Sequence, residues 1–311
     1  MSDSGFLVLD KPPGYTSHQV VAAVRKILAE RRIGHTGTLD PMARGVLVLA
    51  VGMATKLIPY LDEERKVYRA RLVLGLTTDT QDLTGRVLSA HPEIRISREQ
   101  LASALICFTG EQEQIPPMYS ALKVKGEPLY KLARAGKEIS RAKRKITIYR
   151  LEAAETLLPA YGYQEGPHLL IECSRGTYIR TLCHDLGAYL GCGGCMGELL
   201  RLASGPFRLA DACSLEELAR AAKEGKAGQF LLSPVDALSH LPMLHLSEES
   251  GEKVRHGGQL QIGDFTRPPG PEAYRPGQLA RGVDDDGRLL AILKYIGGSS
   301  SSWQPVRVLA R

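Results

Sequence analysis

Val46–Val51 is a run of six apolar residues without one polar position, lying just beyond the polar, glycine-containing segment Gly34-His35-Thr36-Gly37-Thr38-Leu39-Asp40-Pro41. The run is far shorter than the roughly 20 residues that span a bilayer. It suits a β-strand buried on both faces, so the chain has to supply two apolar layers around it. A polar loop feeding such a strand is a common place for an active site.

The neighbouring patterns supply those layers. Gly5–Leu9 reads as a short buried strand stopped by Lys11-Pro12-Pro13-Gly14, where two prolines end a ladder. A helix follows, with Ser17 as its cap and Val20, Val21, Val24, Ile27 and Leu28 on one face. From Lys66 to Leu76, Tyr68, Ala70, Leu72, Leu74 and Leu76 share one face of a half-buried strand, with Arg69 and Arg71 on the other. Thr77–Gly85 is a polar connection carrying Asp79 and Asp82, and Ser97 with Gln100 boxes the start of a helix running to Phe108. Ile146–Glu155 and Leu169–Cys173 read as strands. Ser174–Thr177 is a turn into a helix from Tyr178 to Leu190, and Ser214 with Glu217 opens another helix.

Beyond Leu241 the texture changes to short alternating segments broken by Gly and Pro. They include a hairpin of Leu279–Val283 with Leu289–Ile296 across Asp286-Gly287, and loops at Pro268–Pro276 and Ser299–Ser302. Strands and helices that mix without regular alternation indicate α+β rather than a doubly wound fold. A length of 311 residues fits one large domain, 1–240, and a small all-β module, 241–311.

With 43% hydrophobic and 24% charged residues there is material for a sizeable core, and wholesale disorder is excluded. Neither a membrane span nor a signal peptide is expected. The six cysteines are too sparse for a disulfide scaffold and, with no secretory signal expected, should stay reduced, so a cytoplasmic protein is expected. The net charge of +6 is unevenly spread: Lys123 to Arg150 holds ten basic side chains against Glu127 and Glu138, a local excess of eight. Such a stretch fits either a polyanion footprint or a solvated basic helix face.

Among chemistry-bearing residues, Asp40 stands in a loop with His35, where Pro41 restricts its backbone; it can serve as nucleophile or base, or simply cap a turn. Tyr68, Tyr178 and Arg180 would make a nucleoside pocket if a tyrosine stacks on a base and the guanidinium meets a carboxylate. Their ordinary reading is a core tyrosine and a surface arginine. Cys192 and Cys195, with Cys183 and His184 nearby, form a weak metal motif better read as reduced thiols. No P-loop, dinucleotide fingerprint, HExxH or nucleophile-elbow serine occurs.

Taken in order, these residues resemble one family, the bacterial tRNA pseudouridine synthases of the TruB type. The resemblance is carried by Lys11-Pro12-Pro13-Gly14-Tyr15-Thr16-Ser17, the Gly34–Pro41 loop, Lys66-Val67-Tyr68, Thr78-Asp79-Thr80-Gln81-Asp82, Gln114-Ile115-Pro116-Pro117-Met118-Tyr119-Ser120-Ala121 and Gly176-Thr177-Tyr178-Ile179-Arg180. It implies a mixed, largely antiparallel catalytic sheet and a C-terminal PUA-like barrel. It further implies that Asp40 is the catalytic aspartate, that Tyr68 stacks on the target uracil, that Arg180 pairs with Asp40, and that Tyr178 lines the pocket. His35 would fill the space left by the flipped nucleotide, with Lys11 and Asp82 in support.

The basic stretch coincides with an insertion, about 118–145, that would grip the T arm of tRNA through Lys123, Lys143, Arg144 and Lys145. Leu199-Leu200-Arg201-Leu202 departs from the family's paired arginines and leaves Arg201 as the RNA contact. The reaction implied is isomerisation of uridine 55 after base flipping, with no cofactor or metal, no obligate protein partner, and a monomer. Attack by Asp40 at C1′ or C6, or abstraction of a sugar proton, all remain open. The competing readings are a tRNA-folding RNA-binding protein without turnover and a guide-dependent synthase.

Overall fold

The strand Arg44–Val51 takes the interior place that its apolar run demands, with every residue from Gly45 to Val51 buried. The computed structural model describes residues 4–62, 64–124, 126–267, 274–297 and 302–309. Lys125 of the basic stretch, most of the expected loop 268–276 and residues 299–301 of the other loop lie outside the described residues. Because successive side chains of a strand point to opposite faces, Val46, Val48 and Ala50 join Phe6, Leu57 and Phe207 on one side. Leu47, Leu49 and Val51 meet Val20, Val24 and Leu218 on the other. Full burial of such a side chain contributes roughly 1.5–3 kcal/mol, so both layers are needed.

Ten strands form the main sheet. Its order runs Leu231–Leu232, Gly5–Lys11, Arg44–Val51, Gly194–Ser204, Arg65–Leu74, His168–Ser174, Arg144–Ala153, Gly110–Gln114, with Ile33–His35 and Phe207–Arg208 paired off this path. Among the described residues all its pairs are antiparallel except Gly194–Ser204 with Arg44–Val51, which meet at Leu200 to Arg44 and Arg201 to Gly45. That contact requires glycine. Gly45 has φ +107°, and a Cβ there would lie 2.3 Å from the Arg201 carbonyl oxygen.

The helices Ser17–Leu28 and Leu215–Lys223 cover one face, while Arg98–Cys107 and Ile179–Tyr189 cover the face carrying Tyr68, Ala70, Leu72 and Leu74. The boxes at Ser97 and Ser214 form as the sequence predicts. Two expectations are corrected. Thr16, not Ser17, caps the first helix: its hydroxyl accepts from the Gln19 N–H and the Gln19 side chain accepts from the Thr16 N–H. Leu76 leaves the face of Tyr68, because Gly75 at φ +83° breaks the strand and Leu76–Thr78 pairs with Val87–Ala90 instead.

After Leu241, the strands Met243–His245, Leu279–Val283, Leu289–Gly297 and Ser302–Val308 form a four-stranded sheet that includes the expected hairpin. This segment also carries a helix, Glu248–Arg255, capped by Ser247. Its buried positions, Ser250, Gly251 and Val254, are mostly too small to give an apolar period in the sequence. Leu279, Leu289, Ile292 and Leu309 pack into the main-sheet cluster of Phe6 and Val48. No helix of the described residues is long and apolar enough to cross a membrane.

Candidate active site

The loop that presents Asp40 is held at several points by buried side chains. Ser17 accepts a hydrogen bond from the Leu39 N–H at 2.9 Å and donates to the Leu39 carbonyl at 3.2 Å, tying the first helix to the residue before Asp40. On the far side of Asp40, the fully buried Lys11 donates from Nζ to the carbonyls of Pro41 (3.2 Å), Pro12 (2.9 Å) and Tyr15 (2.6 Å). Burial pushes the Lys11 ammonium down to about 8, partly opposed by the Asp40 charge and reinforced by Arg201. Arg201 reaches from its strand to the carbonyls of Val46 (2.7 Å) and Gly37 (3.3 Å).

Arg180, in the first turn of its helix and only 4% exposed, gathers three segments. Its Nε lies 2.9 Å from Asp40 Oδ2 and its Nη2 donates to Oδ1 at 3.1 Å, a two-point grip on a carboxylate that stays about one-third exposed. The same guanidinium donates to the carbonyls of Thr80 (2.9 Å) and Tyr119 (2.8 Å), and Asp82 Oδ2 is 3.7 Å from Nε. Asp82 is itself fixed by the Thr80 and Thr84 hydroxyls and the Thr84 N–H. The carbonyl contacts leave no side-chain signature, so the roles of Thr80 and Tyr119 cannot be read from sequence.

Tyr68 is 7% exposed and stands opposite Arg201 in the strand pairing. Burial pushes its phenol up to about 12, with the nearby Arg201 opposing and Asp40 reinforcing, so the ring is neutral at physiological pH. Tyr178 is the N-cap residue of the Arg180 helix but supplies no side-chain cap. Its backbone is held instead by Gln114, a motif residue that sequence reasoning did not place in the site. His35 ends its short strand with its ring 5.2 Å from that of His18, edge to face.

The structure thus brings Asp40, Arg180, Asp82, Lys11, Arg201 and Tyr68 together. Three of them, Lys11, Asp82 and Arg201, are buried and occupied by loop carbonyls, hydroxyls and neighbouring charges. The basic stretch forms a hairpin, Lys123–Val124 with Glu127–Pro128, a short helix, Leu129–Arg134, and a strand, Arg144–Ala153, rather than one helix face. Lys123, Lys143, Arg144 and Lys145 are exposed, and Lys143 lies 3.2 Å from Glu113.

Cys183, Cys192 and Cys195 are buried, and the Cys192 thiol donates to the Gly193 carbonyl at 3.3 Å. Among the described residues no group of three or more His, Cys, Asp or Glu is placed to hold a metal ion.

Residues 25–179 match the model of the TruB family pseudouridylate synthase N-terminal domain, and residues 180–239 that of the tRNA pseudouridylate synthase B C-terminal domain. The tRNA pseudouridine synthase B of Geobacter sulfurreducens is 51% identical over 253 residues, 81% of each chain. That of Heliobacterium mobile is 48% identical over 308 residues, covering 99% of this chain and 93% of the relative. Among solved structures, a Cbf5-Nop10-Gar1 complex aligns with a TM-score of 0.73 at 26% identity, over 98% of this chain and 85% of the other. The loop that carries Asp40, the guanidinium that grips it and these near full-length matches agree, and the chain belongs to the TruB family of pseudouridylate synthases.

Proposed function

We propose that the chain is a stand-alone tRNA pseudouridine synthase that converts uridine 55 of the T arm to pseudouridine, with Asp40 as the reacting carboxylate. The observation that carries this reading is the two-point contact of Arg180 with Asp40, in a loop clamped by Lys11, Ser17 and Arg201. The reaction breaks the N1–C1′ bond, turns the uracil and joins C5 to C1′; the proton lost from C5 is balanced by one gained at N1. No electron or group is exchanged with a second substrate, so the protein's task is to hold a detached base in register. Asp40 is fixed toward the sugar and Tyr68 offers the base a stacking surface, with Tyr178 beside the helix start and His35 taking the space of the extruded nucleotide.

Flipping a base out of a folded loop costs a few kcal/mol. The exposed Lys123, Arg144 and Lys145, with Lys143, offset that cost by contacting T-arm phosphates. Lys11, Asp82 and Arg201 act from below, as positioning residues. Residues 1–240 are the catalytic unit and 241–311 an RNA-binding module of PUA type. The monomer acts alone, since the basic insertion belongs to the same chain as Asp40.

The test is incubation of the protein with an unmodified tRNA transcript in chelator, followed by chemical mapping of pseudouridine. Pseudouridine at position 55 alone is the expected result. Binding without any pseudouridine would overturn the reading in favour of a tRNA-folding protein, and a strict need for added guide RNA would overturn stand-alone action.

A further inference from the structure

Resting on that reading of the site, we infer that Gln114 is a positioning residue of the reaction, setting the angle at which Arg180 and Tyr178 meet the substrate. Gln114 ends the edge strand Gly110–Gln114 and is 4% exposed. Its side-chain carbonyl accepts from the Tyr178 N–H at 2.8 Å, and its side-chain NH2 donates to the Tyr178 carbonyl at 3.0 Å. The pair spans 64 positions of sequence and has the form of one rung of an antiparallel ladder, made by a side chain instead of a backbone.

The need for it is visible locally. A helix leaves its first N–H groups without partners, and the Ile179–Tyr189 helix has no capping side chain of its own. Tyr178 stands at the entrance with extended backbone, φ −97° and ψ 109°, two residues before Arg180. Gln114 holds that entrance from the edge of the main sheet. A rotation there is carried to the guanidinium that grips Asp40, because Arg180 lies in the first helical turn. Pro116 and Pro117 stop the edge strand after Gln114 and start the segment whose Tyr119 carbonyl accepts from Arg180. One buried amide therefore ties together the base of the RNA-gripping insertion, the start of the helix and the catalytic pair. A methionine fills nearly the same volume but offers neither the donor nor the acceptor, so it separates the hydrogen bonds from the packing.

The test compares wild type, Gln114→Met and Gln114→Glu in single-turnover pseudouridine formation and in tRNA binding. Gln114→Met is expected to slow turnover about ten- to hundredfold while tRNA affinity stays within about twofold, since only the approach to the reacting atoms is disturbed. Gln114→Glu can replace both hydrogen bonds only when its carboxyl is protonated. Its turnover relative to wild type should therefore climb as pH is lowered from about 8 to about 6, with no such trend for the methionine variant. Wild-type turnover in Gln114→Met, or losses in both variants that follow only their loss of folded protein with a flat pH ratio, would overturn the inference. Failure of the wild type to form pseudouridine in the same assay would instead sink the proposed function.

Discussion

Arg180 and Asp40 lie 140 residues apart in sequence yet share two contacts, Nε to Oδ2 at 2.9 Å and Nη2 to Oδ1 at 3.1 Å. Because the fork of a guanidinium matches a carboxylate in one plane, the pair fixes the direction of Asp40 as well as its position. Asp40→Asn is expected to abolish pseudouridine formation, by at least about a thousandfold, while tRNA binding is retained. Arg180→Lys keeps the charge and loses the fork, and should cost about a hundredfold in turnover. Retained turnover in the asparagine variant, measured by quantitative pseudouridine mapping, would remove Asp40 from the chemistry.

Lys11 gives a pH signature with opposite signs in two measurements. Its ammonium uses three donors on Pro12, Tyr15 and Pro41, and burial lowers it to about 8 from an ordinary value of 10.5. Turnover should fall as pH rises through about 8, because a neutral amine has one donor fewer for the Asp40 loop. The contribution of Lys11 to stability should move the other way. Between about 8 and 10.5 the unfolded chain binds the extra proton, so the cost of burying the charge, full below 8, is relieved as pH rises. Rate and denaturation profiles recorded together on wild type and Lys11→Met check both through the difference between the two proteins, because the buried thiols, raised by burial, lower stability equally in each as pH rises.

Gly45 and Gly14 form a matched pair for backbone strain. Both have positive φ, +107° and +84°, but a Cβ on Gly45 would strike the Arg201 carbonyl oxygen at 2.3 Å whereas Gly14 faces open space. Gly14→Ala should cost about 1–2 kcal/mol, the conformational penalty alone. Gly45→Ala should cost about 3 kcal/mol or more, since the parallel contact between the strands Arg44–Val51 and Gly194–Ser204 must also open. Denaturant midpoints that coincide for the two would contradict the close approach of these strands.

The basic segment is tested by salt. Arg144→Glu with Lys145→Glu should weaken tRNA binding and lower the slope of log affinity against log salt by roughly two. Lys143→Glu should change it less, because Lys143 already lies 3.2 Å from Glu113. An unchanged slope in the double variant would return the segment to a solvated face.

Thiol chemistry separates Cys107 from the rest. It is exposed, its Sγ 3.4 Å from the Tyr189 hydroxyl, while Cys173, Cys183, Cys192, Cys195 and Cys213 are buried, and burial raises the thiol of each of these five. Brief alkylation of the native protein at neutral pH should label Cys107 alone, read by peptide mass spectrometry. Early labelling of Cys192 or Cys195 would mean that this turn opens.

The elements that sequence reveals best are those with a strict period and a paired cap. Val46–Val51 could only be interior, and the Ser97 and Ser214 boxes mark their helices to the residue. The pairing of Asp40 with Arg180 is legible because both motifs are short and carried by side chains. What escaped is held by other means. Buried polar side chains such as Lys11 and Arg201 look like surface bases until the backbone carbonyls that accept from them are seen. Gln114 meets its partner across 64 residues, a separation no local pattern encodes.

The leucines and isoleucine that the final segment lends to the main sheet have a consequence for how the molecule comes apart. Ile292, with Leu279, Leu289 and Leu309, completes the layer over Phe6, Val8 and Val48. A chain cut near residue 241 would therefore not shed an appendage; it would lose the roof of its own central strands and expose their apolar side to self-association. Melting of the intact protein should accordingly be one cooperative event, with amides of Phe6 and Ile292 exchanging on the same timescale.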